Sequence, residues 1–530
     1  MLLVAAAFAW SSRIDGLLAL PLHNDEGLHI TRALAVWEGH PFWEIRDGKI
    51  VNHWAIAFFA PQHAPDFAAR IATVFTMLPG LAAAIALARR LAGTSAGWLA
   101  AALWVASPYL LFYERLAFSD AQAGALVVVA AWACVCWWAR PNTARAALVG
   151  LSIGTAALFK FTALPYALAI LVLVAAGPLQ AGPLRAGPGV HRSRLRAASA
   201  HTRIRIRALL AVAAVGAALF AAPVAYLLVR GGDLFSIALG WVGAGDGPAA
   251  AGGFAFLYNL AANLARMTAL LTTTGDPFWL FLWLAGFAVL VAFGGRARVL
   301  AWAWAIPTLA LLALGREAQP RHFAVVLPLM LVCGGVGLGL LVDGFWFPRR
   351  KRPVGVKPAL SPRVRVSDGG LITILTGALL LVLFQPFAET LAHDPAAAPL
   401  PALIRGEHVR EHSAGYGLRE AVRDLSSQVP PDTLVWAAFF PDSCARANFY
   451  AQDRALICGT NSPAAFAQVL EQNAAAVYVL TDTLPIVSPD VRAVAAALGR
   501  RAVRVAQYPR PGESPAEASV VLWRIERAGG

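Results

Sequence analysis

Two carboxylates, Asp25 and Glu26, stand side by side in the stretch HNDEGLH, between His23 and His29 and just past the first apolar run. Three other polar groups interrupt long apolar stretches. YERLAFSDA carries Glu114, Arg115 and Asp120; Lys160 is the one charge in the run from Ala146 to Ala176; GREAQPRHF carries Arg316, Glu317, Arg321 and His322. Carboxylates can take a proton from a nucleophile or hold a metal, and arginine, lysine and histidine can meet phosphate oxygens. Ionisable residues at membrane depth are costly and mark functional sites by default. A set with two acids and several cations suits an anionic, lipid-linked substrate. Each group also has a plainer reading. Arg115 with Asp120 makes an ordinary ion pair, Lys160 snorkels to the interface, Arg321 and His322 anchor a helix end, and the two acids are loop residues. His23, Asp25 and His29 have the donor types of a divalent-metal site in a loose pattern, and no cofactor is otherwise required.

The elements that must position these residues are read from composition. Of 530 residues, 58% are hydrophobic and 14% charged, against about 45–50% and about 25% in ordinary soluble domains. Repeated apolar runs then make this a polytopic membrane protein, with the lipid bilayer as its surroundings. The net charge of +14 does not signal nucleic acid, because the basic residues fall in short runs between apolar spans. Residues 177–207 and 348–366 each hold seven Lys or Arg and no acid, which marks both as cytoplasmic; residues 21–70 hold six acids against four bases and read as external.

Eleven spans are predicted, near 1–20, 71–88, 96–112, 121–139, 146–159, 161–176, 208–229, 277–294, 299–314, 323–342 and 369–386. The run Ala146 to Ala176 is too long for one crossing, and both its flanks are basic, so it must cross an even number of times, with Lys160 at an external tip. The N-terminus is then cytoplasmic and the C-terminus external. Trp37, Trp43 and Trp54 suit an interfacial helix, and residues 230–276 read as a long external loop. The division is residues 1–390, transmembrane, and 391–530, a small extracytoplasmic α/β domain. In that domain 433–440, 475–482 and 518–526 look like strands, and 415–428, 462–474 and 489–502 like helices. No glycine-rich phosphate loop follows any of these strands. Cys444 and Cys458 are positioned to pair if this part is outside the cell.

The DE pair after the first span, RLAFSDA, ALFKFTALP and PRHFAVVLPL, in that order, resemble the lipid-phosphate-sugar glycosyltransferases of the GT-C superfamily. The resemblance is greatest to glycosyltransferase family 39, which includes protein O-mannosyltransferases and bacterial aminoarabinose transferases, and it covers roughly residues 1–345. It implies an all-α membrane fold and transfer, usually inverting, of a sugar from a polyprenyl-phosphate donor to an external acceptor at the plasma membrane. It implies Asp25 as the base with Glu26 beside it. Lys160, Arg115, Arg321 and His322 are then expected to face the donor phosphate, with Asp120 and Glu114 supporting and Asp120 either holding Arg115 or helping to position the donor sugar. The rival class is a transporter or flippase for a lipid-linked sugar, which calls for internal repeats and broken helices at the bilayer midplane.

Overall fold

The computed structural model describes residues 2–42, 48–176, 190–230, 255–274, 277–314, 319–344, 368–430, 433–438, 441–451, 456–458, 463–473, 477–482 and 490–527. The chain divides into two units. One comprises Met1–Asp15, Phe42–Ala55 and Ile71–Glu389; the other comprises Gly16–Pro41, Ile56–Arg70 and Thr390–Gly530. The C-terminal piece of the second unit begins at Thr390, and two short stretches near the N-terminus, which the division at residue 390 had put in the transmembrane part, group with it.

The first part of the chain forms α1 (Leu2–Ile14), α2 (Asn24–Trp37), α3 (Ile50–Phe58), α4 (Pro65–Ala92), α5 (Thr94–Val105), α6 (Pro108–Glu114), α7 (Ser119–Ala139), α8 (Thr143–Phe159) and α9 (Leu164–Ala176). Among the described residues, six helices are long and apolar enough to cross a membrane, or seven when α5 and α6 count as one bent span. Four shorter apolar helices, at Leu2–Ile14, Thr143–Phe159, Phe161–Ala175 and Phe278–Phe293, stand where the remaining predicted spans fall. This is a multi-pass membrane protein.

Two breaks place candidate site side chains. The run predicted as one span over 96–112 bends by 63° between α5 and α6. Ser107 there is extended, because the proline that follows disfavours the helical region, and its Oγ accepts the Leu110 N–H at 3.3 Å. The run Ala146 to Ala176 is divided at Lys160, whose backbone is extended at φ −160°, ψ 129°. The predicted 230–276 loop is partly wrong. Ala255–Thr274 is a 20-residue helix, rich in the alanine and leucine that favour that state, while 231–254 lie outside the described residues. Within 21–70, read from charge as external, the chain forms α2, α3 and the start of α4; Trp37 ends α2 and Trp54 lies in α3, and Trp43 is outside the described residues.

Helix packing in the first unit relies on small residues. In the helix Phe323–Gly344, a β-carbon at Gly335 would overlap Ala100 of α5, and one at Gly339 would overlap Ala96. On the same helix, a β-carbon at Gly337 would overlap the Gly286 carbonyl of the helix Pro277–Phe293. Such close approach is how helices gain contact area where the solvent is lipid.

In the second unit a five-stranded sheet runs in the order β2-β1-β3-β5-β4, with β1 Val435–Ala438, β2 Ile457–Cys458, β3 Val477–Asp482, β4 Arg500–Tyr508 and β5 Val520–Arg527. The first three strands are parallel, and β5 and β4 return antiparallel. Trp436, Phe466, Leu470, Val479 and Ile525 fill its core. The helix predicted over 489–502 stops at Ala497, because Gly499 turns with φ +65° and Arg500 opens β4. The alternating arginines and valines of that edge strand, half exposed, are what hid it. Cys444 and Cys458 form a disulfide.

Candidate functional site

Each unit carries its own set of polar residues. In the second unit, Asp25 and Glu26 occupy the first turn of α2, where the positive end of the helix dipole favours negative charge. His23 caps that helix. Its Nδ1 accepts the Asp25 N–H at 3.1 Å, while Glu26 Oε2 accepts the His23 N–H at 2.9 Å, a reciprocal capping box. Asp25 is half-buried and Glu26 fully buried.

The two acids therefore differ in role. Glu26 is engaged by Arg70, whose Nε donates to Oε1 at 2.9 Å and Nη2 to Oε2 at 2.8 Å. Arg70 Nη1 also donates to the Leu17 and Leu20 carbonyls at 2.9 and 2.7 Å, and Nη2 to that of Pro21 at 3.1 Å. All five guanidinium N–H groups are thus used, and Arg70 binds the segment leading into α2 as one piece. Asp25, one residue earlier on the helix, points its role elsewhere: it is the acid of the pair left partly open to solvent.

Behind α2 stands the helix Pro441–Tyr450. Arg446 Nη1 donates to the Leu22 carbonyl at 2.9 Å and to that of Ser413 at 2.6 Å, and Nη2 to that of His412 at 3.0 Å. The Leu22 N–H donates to the Tyr450 hydroxyl at 2.6 Å. Burial pushes the Arg446 guanidinium down to about 10, which leaves it a cation at neutral pH. The His23 ring lies 4.9 Å from that of His408, and its Nε2 is 3.7 Å from Glu407 Oε1.

In the first unit the polar residues gather around the α6–α7 turn and the Lys160 break. Lys160 Nζ donates to Asp120 Oδ1 at 2.6 Å, both groups being nearly inaccessible. Asp120 was expected to hold Arg115; it holds Lys160 instead, because the break after α8 sets the lysine beside the first turn of α7. Arg321 lies over the Phe118 ring, 5.3 Å from its centroid. The Tyr109 hydroxyl donates to the Pro320 carbonyl, tying α6 to the turn that carries Arg321 and His322. Lys160, Arg321 and Lys49 all act electrostatically on His322. Lys49 was not anticipated; it sits in an acid-rich stretch, and only the fold brings it to this group. Arg115 is buried at the end of α6.

Glu114 stands apart from that group. Its Oε2 accepts from Arg13 Nε at 2.9 Å and lies 2.9 Å from Nη2 of the same guanidinium as an ion pair, and its Oε1 accepts from Trp104 Nε1 at 2.8 Å. It is the buried partner that joins α1 to the bent α5–α6 pair. Among the described residues, no three His, Cys, Asp or Glu side chains come together to hold a metal, so His23, Asp25 and His29 are not gathered as a ligand set. His23 Nδ1 is committed to the helix cap. Arg316 and Glu317 lie outside the described residues.

Comparison with known proteins places this fold. The family model described as dolichyl-phosphate-mannose-protein mannosyltransferase matches residues 47–186, the stretch that holds Lys49, Arg115, Asp120 and Lys160. The fold is that of ArnT from Cupriavidus metallidurans. Its structure bound to undecaprenyl phosphate is 14% identical, with a TM-score of 0.54 over 98% of this chain and 97% of that one. Its apo-state structure matches with the same identity, TM-score and coverage. No protein of curated function matches the chain by sequence. The chain thus resembles the GT-C glycosyltransferases and has their fold, a membrane bundle with a small C-terminal sheet.

Proposed function

We propose that this protein is an integral membrane glycosyltransferase that moves a sugar from a polyprenyl-phosphate donor to a hydroxyl acceptor outside the plasma membrane, with inversion. The supporting observation is the buried Lys160–Asp120 pair with Arg321 over the ring of Phe118, two residues from Asp120, within a bundle whose fold is that of ArnT. ArnT, which shares that fold, has been crystallised with undecaprenyl phosphate. In this reading the acceptor oxygen attacks the anomeric carbon, Asp25 takes its proton, and the bond to phosphate breaks with its electron pair going to the lipid phosphate. The growing charge on that phosphate is met by fixed cations, for which Lys160, Arg321, Lys49 and Arg115 are the candidates, with His322 as a hydrogen-bond donor beside them. Lys160 has three N–H donors and gives one to Asp120, so Asp120 also sets where the ammonium stands. Glu26 holds the helix that presents Asp25.

Envelope glycolipids, glycans and glycoproteins compared by mass spectrometry in deletion and complemented cells should reveal one glycoconjugate that depends on this chain. Identical envelopes would remove the transferase reading. Lys160→Ala should weaken binding of undecaprenyl phosphate in detergent by about 10- to 100-fold, because a charge-assisted bond contributes roughly 1.5–3 kcal/mol. Lys160→Arg should recover part of it. The double variant Lys160→Ala/Asp120→Ala removes the orphaned acid and should restore stability without restoring binding. Wild-type affinity in Lys160→Ala would make the lysine an anchor only.

Orientation has its own test. Single cysteines at Ser193 and Ser361, with Cys134, Cys136 and Cys333 replaced and the disulfide kept, should resist a membrane-impermeant thiol reagent in intact cells. One at the exposed Ser514 should react. The opposite pattern would move Asp25 to the cytoplasm and end the external-acceptor reading.

A further inference from the structure

The C-terminal α/β unit has no chemistry of its own in this scheme, yet two of its side chains take hold of the chain just ahead of Asp25. We propose that Arg446 and Tyr450 are positioning residues for Asp25, and that the Cys444–Cys458 disulfide fixes the helix that carries them. The inference rests on the reading of Asp25 as the base.

Leu22 lies three residues before Asp25, and both its backbone groups are taken: its N–H by the Tyr450 oxygen at 2.6 Å and its carbonyl by Arg446 at 2.9 Å. Fixing both sides of one residue fixes two successive peptide planes, and these aim His23 as the cap of α2. Arg446 and Tyr450 are four residues apart, so they share a face of their helix. The two helices also touch directly, since a β-carbon added at Gly27 would stand 2.8 Å from Arg446 Cβ. Any sideways shift of the helix Pro441–Tyr450 is therefore felt in the turn that holds Asp25.

Arg446 binds a second segment to the same place through the carbonyls of His412 and Ser413. That segment leads to Gly415, which has φ +79° and where a β-carbon would come within 2.5 Å of the Leu22 carbonyl oxygen. Cys444, two residues from Arg446, is bonded to Cys458 in β2, which pairs with β1. The helix is thereby attached covalently to the sheet. A side chain that is 1% exposed and, among the described residues, donates to the carbonyls of Leu22, Ser413 and His412 is a clamp on backbone. Whether Cys444 and Cys458 stay oxidised depends on the compartment in which the unit resides, so the placement of Asp25 becomes sensitive to reduction.

The test uses the full chain in proteoliposomes with a panel of undecaprenyl-phosphate-linked hexoses and pentoses and the acceptor fraction identified from cells. Tyr450→Phe deletes one oxygen and should lower kcat about 5- to 20-fold with the donor KM within twofold. Arg446→Gln should lower kcat further, and Arg446→Lys should recover part of it. Combined with Asp25→Asn, Tyr450→Phe should add no further loss, since it acts through that carboxylate. Dithiothreitol should lower wild-type kcat several-fold, reversibly, and speed hydrogen exchange at amides 22–28. Should Arg446 variants fail to fold, the single-oxygen change and the reductant still decide the matter. Wild-type kcat in Tyr450→Phe, or losses that multiply with that of Asp25→Asn, would overturn the proposal while leaving Asp25 as the base. Full activity in Asp25→Asn would overturn both.

Discussion

Asp25→Asn should leave a folded protein that binds undecaprenyl phosphate and turns over about 10²–10⁴ more slowly than wild type. The amide keeps the size of the carboxylate and its place in the first turn of α2, and it still follows the His23 cap, whose bond is to the Asp25 backbone rather than the side chain. What it loses is the capacity to accept a proton from the attacking hydroxyl, and removal of a general base costs about that factor. The pH profile is part of the expectation. Wild-type turnover should fall on the acid side as the carboxylate takes up a proton, and the variant should lose that limb. The measurements are initial rates of transfer in proteoliposomes across pH, with lipid-phosphate binding and thermal stability on the same samples. Unchanged turnover in a stable Asp25→Asn protein would remove this residue from the chemistry.

Glu26→Gln is expected to fail in a different way, although it changes the adjacent residue by the same two atoms. Glu26 carries no solvent exposure and neutralises an equally buried Arg70. Breaking a buried pair by removing one charge typically costs about 3–5 kcal/mol, because the remaining ion is left without compensation. The yield of folded protein and its thermal midpoint should drop sharply, and whatever folds should retain turnover well above that of Asp25→Asn. Arg70→Met should be as damaging, since it also releases the carbonyls of Leu17, Leu20 and Pro21. Equal stability of Glu26→Gln and wild type, with turnover lost, would assign the chemistry to Glu26 instead.

The contrast shows what could be read from residues in order. Apolar length located the helices of the bundle, six or seven of them long enough to cross a membrane among the described residues and four of them shorter, and the charge at Lys160 located the break between α8 and α9, because the bilayer fixes how many apolar residues a crossing needs. The adjacency of Asp25 and Glu26 marked a site but could not separate their roles. That depends on Arg70, 44 residues away from Glu26, and no helical or strand period links the two. Asp120 was matched to the nearest arginine in sequence, Arg115, while its partner is a lysine 40 residues on. Lys49 lay unnoticed in an acid-rich stretch for the same reason. The α/β character of the C-terminal unit was legible from alternating strands and helices. The edge strand β4 was not, since its arginines disguise its alternation.

The glycines of the helix Phe323–Gly344 bear on the rival class, a carrier for a lipid-linked sugar. Gly335 and Gly339 are one turn apart, and each fits against an alanine of α5 that is likewise one turn from the next, Ala100 and Ala96. Slid towards α5 by one turn, the helix would bring Leu331 to the place of Gly335, where there is no room even for a methyl group. Gly337 meets Gly286 of the helix Pro277–Phe293 in the same fashion, so the middle helix is keyed on two sides. Alternating access by ratcheting requires a second register of comparable energy, whereas these glycine contacts hold the three helices in a single register.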